Sequence, residues 1–426
     1  VKKRTNLFRM LMAASVAQAR WEYETSMNIL RSKKRLLVLG LLCLPCVLFA
    51  VAFASDQLPA ILGGHKAYSP SYSSAGLLWL STLIGLMAGL ITGCIGAGGG
   101  FIITPALMSV GVKGILSVGT DLFHIFAKAI MGTTIHKKLG NVSVGLAIAF
   151  LVGSLAGVSC GGILNRAIYE ISPVLSDFFI TLIYVFLLGF LGVYALIDFL
   201  KNRNAGEEVG AHTGESPRGM EAASGKRGLP ARLQSMNIPP SITFDRDLVP
   251  GGKRISAWFV AICGFFVGMV AAIMGVGGGF LTFPIFVYVL GVSSFTTVGT
   301  DIFQIIFTAG YASIGQYAFY GFIFYSLAMG LLVGSLIGIQ VGALVTKVVK
   351  GIYIRGFYAT AILAGFLNRL FALPGKLGEM HIITISKSLA HTLNRIGIWV
   401  FFIVIGIFAI WVIFTFFKNI RRLREV

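Results

Sequence analysis

Two short stretches of this sequence place ionisable and amide side chains at helical spacing within otherwise apolar sequence. The first reads Val118-Gly119-Thr120-Asp121-Leu122-Phe123, with His124 and Lys128 three and seven residues after Asp121. The second reads Val298-Gly299-Thr300-Asp301-Ile302-Phe303, with Gln304 and Thr308 at the same steps. Residues spaced in this way share one face of a helix. A carboxylate, an imidazole and an ammonium on such a face can pass a proton or hold an anion, and an ionisable residue in a membrane span is a functional candidate by default. Upstream of each stretch lies a second chemistry. Ile95-Gly96-Ala97-Gly98-Gly99-Gly100-Phe101, followed by Pro105, recurs as Met274-Gly275-Val276-Gly277-Gly278-Gly279-Phe280, followed by Pro284. Consecutive glycines interrupt a helix, at about 1 kcal/mol each relative to alanine. Where helix resumes after Gly100 and Gly279, free N–H groups gather at the positive end of a dipole, an anion site that needs no charged side chain.

Each feature also has a plainer reading. The glycines could serve only close helix packing, and Thr-Asp before an apolar run is a helix start that either residue could cap. His124 could be a hydrogen-bonded packing residue, and Lys128 could simply pair with Asp121. Two matched copies weigh toward function. Gly98, Gly99, Gly100, Gly277, Gly278 and Gly279 are therefore candidate substrate contacts, with Thr120, His124, Lys128, Thr300 and Gln304. Asp121 and Asp301 are candidates for proton coupling, because two carboxylates beside an anion path repel the anion unless at least one is protonated.

The elements that position these residues must be membrane helices. Of 426 residues, 56% are hydrophobic, a further 53 are glycine and only 12% are charged; the mean hydropathy is +0.85. No soluble fold of this size hides that much apolar surface, which excludes a water-soluble enzyme, a disordered chain and a disulfide-stapled domain. Apolar segments lie near 36–54, 76–95, 101–112, 117–136, 142–164, 174–200, 255–274, 280–292, 298–319, 322–345, 352–373 and 396–417. The expected fold is an all-α polytopic membrane protein of about twelve segments.

The net charge of +19 then reads as topology rather than as nucleic-acid binding. If all twelve segments cross, 26 of the 35 Lys/Arg fall on the inner side, and both ends are cytoplasmic. Arg166 is among the six assigned to outer loops. The division is a basic arm at 1–35, a first span at 36–54, repeats at 76–200 and 255–373 joined by a disordered cytoplasmic linker at 201–254, and a last span with basic tail at 374–426. A third motif also recurs: Leu151-Val152-Gly153-Ser154-Leu155 with Gly157 and Gly161 matches Leu332-Val333-Gly334-Ser335-Leu336 with Gly338 and Gly342. These G-x-x-x-G ladders are packing faces. Five spans separate the starts of the two copies, an odd number, so the repeats are inverted, as in secondary transporters with mid-membrane sites. The five cysteines suggest no metal site, no nucleotide-binding loop is present, and no cofactor is expected.

With its glycine clusters, the prolines after them and the repeated Gly-Thr-Asp segments, the chain resembles the sulfite exporter TauE/SafE family, also called the toluene-sulfonate uptake permease group. The resemblance covers about 85–373. It carries the family's glycine pattern onto Gly96, Gly98, Gly99, Gly100, Gly275, Gly277, Gly278 and Gly279, and its polar segment onto Thr120/Asp121 and Thr300/Asp301; many members have a hydroxyl residue in place of these Asp. It implies a cytoplasmic-membrane permease for sulfite or organosulfonates. The expected partners are therefore a small sulfur-containing anion and the lipid bilayer, with no nucleic acid. Rival readings are a cation transporter using Asp121 and Asp301, and a membrane scaffold without a solute path.

Overall fold

The computed structural model describes residues 75–95, 99–139, 143–202, 229–236, 238–245, 252–346, 348–349 and 351–419. The basic arm, the span expected at 36–54, Gly96 and Gly98 lie outside the described residues. Helices α1 (Ala75–Ile95), α2 (Gly100–Ser109), α3 (Gly114–Leu139), α4 (Val144–Ile171) and α5 (Pro173–Asn202) make up the first half. A short helix α6 (Leu229–Ser235) and a hairpin of β1 (Ser241–Phe244) and β2 (Lys253–Ser256) follow. The second half holds α7 (Ala257–Met274), α8 (Gly279–Pro284, continued as π-helix Ile285–Leu290) and α9 (Ser294–Tyr311, continued as π-helix Ala312–Tyr317). It ends with α10 (Tyr325–Val345), α11 (Gly351–Glu379) and α12 (Lys387–Lys418).

Among these, α1, α4, α5, α7, α10, α11 and α12 are long and apolar enough to cross a membrane. Their outward faces carry bare apolar side chains such as Trp79, Phe186, Phe190 and Ile410, as lipid requires. Helix α2 has 10 residues and rises only about 15 Å, roughly half the hydrocarbon thickness.

Glycine decides which helices touch. Gly85, Gly89 and Gly93 of α1 lie against the backbone of Leu331, Ser335 and Ile339 on α10, and Gly334, Gly338 and Gly342 face Thr82, Leu86 and Leu90 in return. The numbers ascend together, so the helices run parallel. Helices α4 and α7 repeat this: Gly153, Gly157 and Gly161 meet Ala261, Phe265 and Met269, while Gly264 and Gly268 meet Phe150 and Ser154. A Cβ at most of these glycines would collide with a backbone carbonyl, so both seams depend on glycine from both sides. Helices α5 and α11 instead run antiparallel, with Gly189 and Gly192 against Phe366 and Leu363 and Gly356 against Phe199. Helices α3 and α9 are antiparallel too: Gly119 meets Tyr317, and Phe126 meets Gly310.

Three boundaries differ from the sequence reading. First, part of the expected linker is folded. Leu233, Phe244 and Ile255 join a core with Leu146, Phe150, Val260, Phe286 and Leu290. Asp245 accepts hydrogen bonds from the Ser293 amide (2.9 Å) and hydroxyl (2.7 Å). The alternation of apolar residues in Ser241-Ile242-Thr243-Phe244 is too short to stand out from a Gly/Pro-rich segment; it also adds a small sheet to an otherwise helical protein. Residues 203–228 lie outside the described residues. Second, Arg166 is not in a loop but buried in α4, where Nη1 donates to the Gln316 carbonyl (2.6 Å) and Oε1 (2.7 Å) and the guanidinium stacks on Tyr320 at 3.9 Å. Third, α11 runs past residue 373 to Glu379, and α12 begins at Lys387.

Candidate functional site

Asp121 is fully buried on α3. Thr104, on the short helix α2, donates to its Oδ2 at 3.1 Å. One turn on, His124 places Nδ1 3.4 Å from Asp121 Oδ1 and Nε2 2.8 Å from Ser335 Oγ on α10. Lys128 follows on the same face, half-buried, and its charge acts on both Asp121 and His124. The second half builds a matching row on α9. Gln304 Nε2 donates to Asp301 Oδ1 at 2.9 Å, Thr308 donates to Gln304 Oε1 at 2.7 Å, and Thr308 Oγ1 lies 3.0 Å from Ser154 Oγ on α4. Ser335 and Ser154 occupy the same place in the third repeated motif. Each row therefore starts on an Asp of one half and ends on the serine of the other.

The helix spacing that groups Asp121 with His124, and Asp301 with Gln304, is visible in the sequence; the serine partners are not. Their signal was present, since each follows the first glycine of its copy of the motif, but the motif reads as packing. Between α3 and α9 the contact is dry, made by Ile125, Phe126 and Ala309 with Ile305, Ile306 and Ile314. The polar faces turn outward from that seam, toward α10 and α4.

Thr120 and Thr300 sit elsewhere. The Phe324 amide, at the start of α10, donates to Thr120 Oγ1 at 2.9 Å, and the Ser143 amide, at the start of α4, donates to Thr300 Oγ1 at 3.0 Å. Each hydroxyl satisfies a helix-start N–H that has no partner within its own helix. This tie is reciprocal between the halves, like the two polar rows.

The two glycine breaks meet. A Cβ on Gly100 would sit 2.9 Å from the Val276 Cα, and the rings of Phe101 and Phe280 lie 6.3 Å apart. Gly99 precedes α2 and packs on Ala88 and Thr92. In the second break Gly275, Gly277 and Gly278 have φ of +80°, +68° and +85°, a left-handed backbone that side chains rarely allow. Gly277 faces Ile125, and a Cβ at Gly279 would come within 3.1 Å of Asp301 Oδ2. The open carbonyls at the end of α7 are closed by side chains: Tyr317 donates to Ala272 O (2.5 Å), Tyr184 to Met274 O (2.6 Å) and Asn165 to Ile273 O (3.5 Å). A helix can break inside a membrane only with such partners. No group of three or more His, Cys, Asp or Glu is placed to hold a metal among the described residues.

The arrangement is thus two antiparallel helices, each with a buried carboxylate, flanked by two helix breaks, in a protein with seven helices apolar enough to cross a membrane among the described residues. Comparison with known proteins points the same way. No solved structure matches the chain. Probable membrane transporter protein YjnA of Bacillus subtilis (strain 168) is 22% identical over 269 residues, covering 61% of this chain and 87% of that protein. The model of the sulfite exporter TauE/SafE family matches residues 81–369, from the first turns of α1 to Arg369 on α11 and through every residue of both polar rows. A match over more than half the chain makes this multi-pass membrane protein a member of the sulfite exporter TauE/SafE family.

Proposed function

We propose that this protein is a secondary transporter of small anions, sulfite or organosulfonates, across the cytoplasmic membrane, with both termini on the cytoplasmic side. The observation that carries the reading is the reciprocity of the two polar rows, each running from the Asp of one half to the serine of the other. A solute bound between the halves would sense both, and a rocking motion of one half against the other would break and remake these links. The antiparallel course of α3 against α9 and of α5 against α11 supports two inverted repeats, since these pairs are equivalent elements of the two copies. Helix α2 supports the twelve-segment count: α1 ends beside the end of α10, with Cys94 Sγ 3.5 Å from Gly342 O, whereas α3 begins near the start of α10. On this reading the chain between them travels back across. The family's name and the similarity to a probable membrane transporter support the transport role.

Gly99, Gly100, Gly277, Gly278 and Gly279 would offer backbone N–H groups to the anion where the two breaks meet. His124, Lys128 and Gln304 would line its path, with Thr120 and Thr300 holding the helix starts beside it. Proton coupling would run through Asp121 and His124. An imidazole accepts a proton on one nitrogen and releases it from the other, so His124 can take a proton from Asp121 at Nδ1 and release one at Nε2, where the Ser335 hydroxyl relays it by giving up its own proton toward the anion path. Asp301 faces an amide, which cannot relay a proton in this way. The test is uptake of labelled sulfite and methanesulfonate into proteoliposomes, with Gly99 and Gly278 changed to Leu. The expected result is anion uptake by the wild type that both variants lose while remaining folded. Flux that follows a cation gradient instead, or silence with every anion, would reject the reading.

A further inference from the structure

Helix α11 carries a buried cation with no carboxylate against it among the described residues. Arg369 is 3% exposed, and its committed donors all end on neutral oxygens. Nε donates to Asn368 Oδ1 at 2.7 Å, and Nη2 donates to Ser109 Oγ at 2.8 Å and to Pro105 O at 3.3 Å. Asp177 acts on Arg369, but the hydrogen bonds seen at its oxygens go to other groups. Oδ1 accepts from the Gly114 amide at 2.7 Å, and Oδ2 accepts from Lys376 at 3.4 Å. Among the described residues the two N–H groups of Nη1 have no hydrogen-bond partner. The direct partners of the guanidinium are thus all neutral, with Asp177 acting only from a distance, and a buried cation so placed is stabilised by an anion brought against it.

Its place relative to the site is specific. Ser109 and Pro105 lie on α2, the same short helix whose Thr104 donates to Asp121. Tyr184, whose hydroxyl donates to Met274 O, lies within electrostatic range of both Asp121 and Arg369. The repeat offset of 179–181 residues maps Arg369 onto Leu188, Gly189 and Phe190. The first half therefore carries no such cation at the matching position.

We propose that Arg369 is an anion-binding residue of the transport path. Asn368, Ser109 and the Pro105 carbonyl hold its guanidinium, and Nη1 offers a donor pair to two oxygens of a sulfonate or sulfite group. This deepens the transporter reading and rests on it. The test compares the full-length wild type with Arg369→Gln and Arg369→Lys in detergent and in proteoliposomes. The probes are sulfite, methanesulfonate and dimethyl sulfone, which is methanesulfonate's uncharged analogue in shape. Methanesulfonate is expected to raise the wild-type melting temperature while dimethyl sulfone does not. R369Q should abolish that shift and raise the KM for sulfite about 10- to 100-fold, and R369K should recover part of the loss with kcat within about twofold. An R369Q protein that elutes as the wild type and keeps both KM and the shift overturns the proposal. Arg369 would then serve only to seat the end of α2. If R369Q does not fold, R369K decides, and an unchanged KM overturns the proposal. Wild-type binding without transport would reject the transporter reading alone. Transport with unaltered KM in the variants would reject the Arg369 role alone, and a wild type that neither binds nor transports rejects both.

Discussion

The two polar rows share a frame and differ in chemistry. In the first, Asp121 meets a histidine with a lysine one turn beyond; in the second, Asp301 meets a glutamine with a threonine one turn beyond. Both end on equivalent serines. Gln304 and Thr308 form a hydrogen-bonded line whose polarity the amide fixes, because an amide nitrogen donates and its oxygen accepts. His124 has no such fixed polarity, since its two nitrogens exchange roles between tautomers. The two rows thus share one geometry and differ in what stands beside the carboxylate, a titratable imidazole in the first and a neutral amide in the second.

The frame itself is the part most easily broken. Gly157→Leu on α4 and Gly338→Leu on α10 each drive a side chain into the facing backbone. Both should cost more than about 3 kcal/mol and leave little folded protein by size-exclusion chromatography; unequal yields would show that the two seams are not equivalent. Next in size is the pair Asp121→Asn and Asp301→Asn. The first should reduce proton-gradient-driven uptake about 100-fold or more, and the second about tenfold, as expected for a lost hydrogen-bonded support. Equal losses would contradict the assignment of the titratable role to the first half. His124→Gln converts the first row into a copy of the second. It should keep flux within about tenfold while abolishing its dependence on an imposed pH gradient, measured in the same liposomes. Smallest are Thr120→Val and Thr300→Val, which remove the reciprocal helix-start acceptors. Each should lower stability by about 1 kcal/mol, equally in both halves and without changing substrate preference.

Much of this frame was readable because duplication writes the same requirement twice. The glycine ladders, the broken helices and the Asp at matched positions all recur in order, and each recurrence pointed to an element that the structure contains. What stayed hidden is contact between copies. Ser154 and Ser335 sit in motifs whose spacing announces packing, and only the parallel course of α1 with α10 and of α4 with α7 brings them to the opposite row. The partners of Arg369 lie about 260 residues away on α2, which no local pattern reveals. The folded segment around Phe244 and Ile255 was missed because its apolar residues are few and become a core only against α4 and α8. Local periodicity specifies the helices; the site is specified by which helices the glycines allow to touch.

The parallel seams also bear on how the chain comes to be made. Gly85 and its partner Leu331 are separated by nearly 250 residues. At synthesis rates of about 5–20 residues per second, α1 waits roughly 12–50 s for α10 to emerge. During that interval its glycine-lined face is open to lipid or to neighbouring chains, so a slow ribosome or a missing second half would leave α1 open to capture by the wrong helix. The reciprocal pairing that completes the site makes the order and timing of membrane insertion part of the protein's specification.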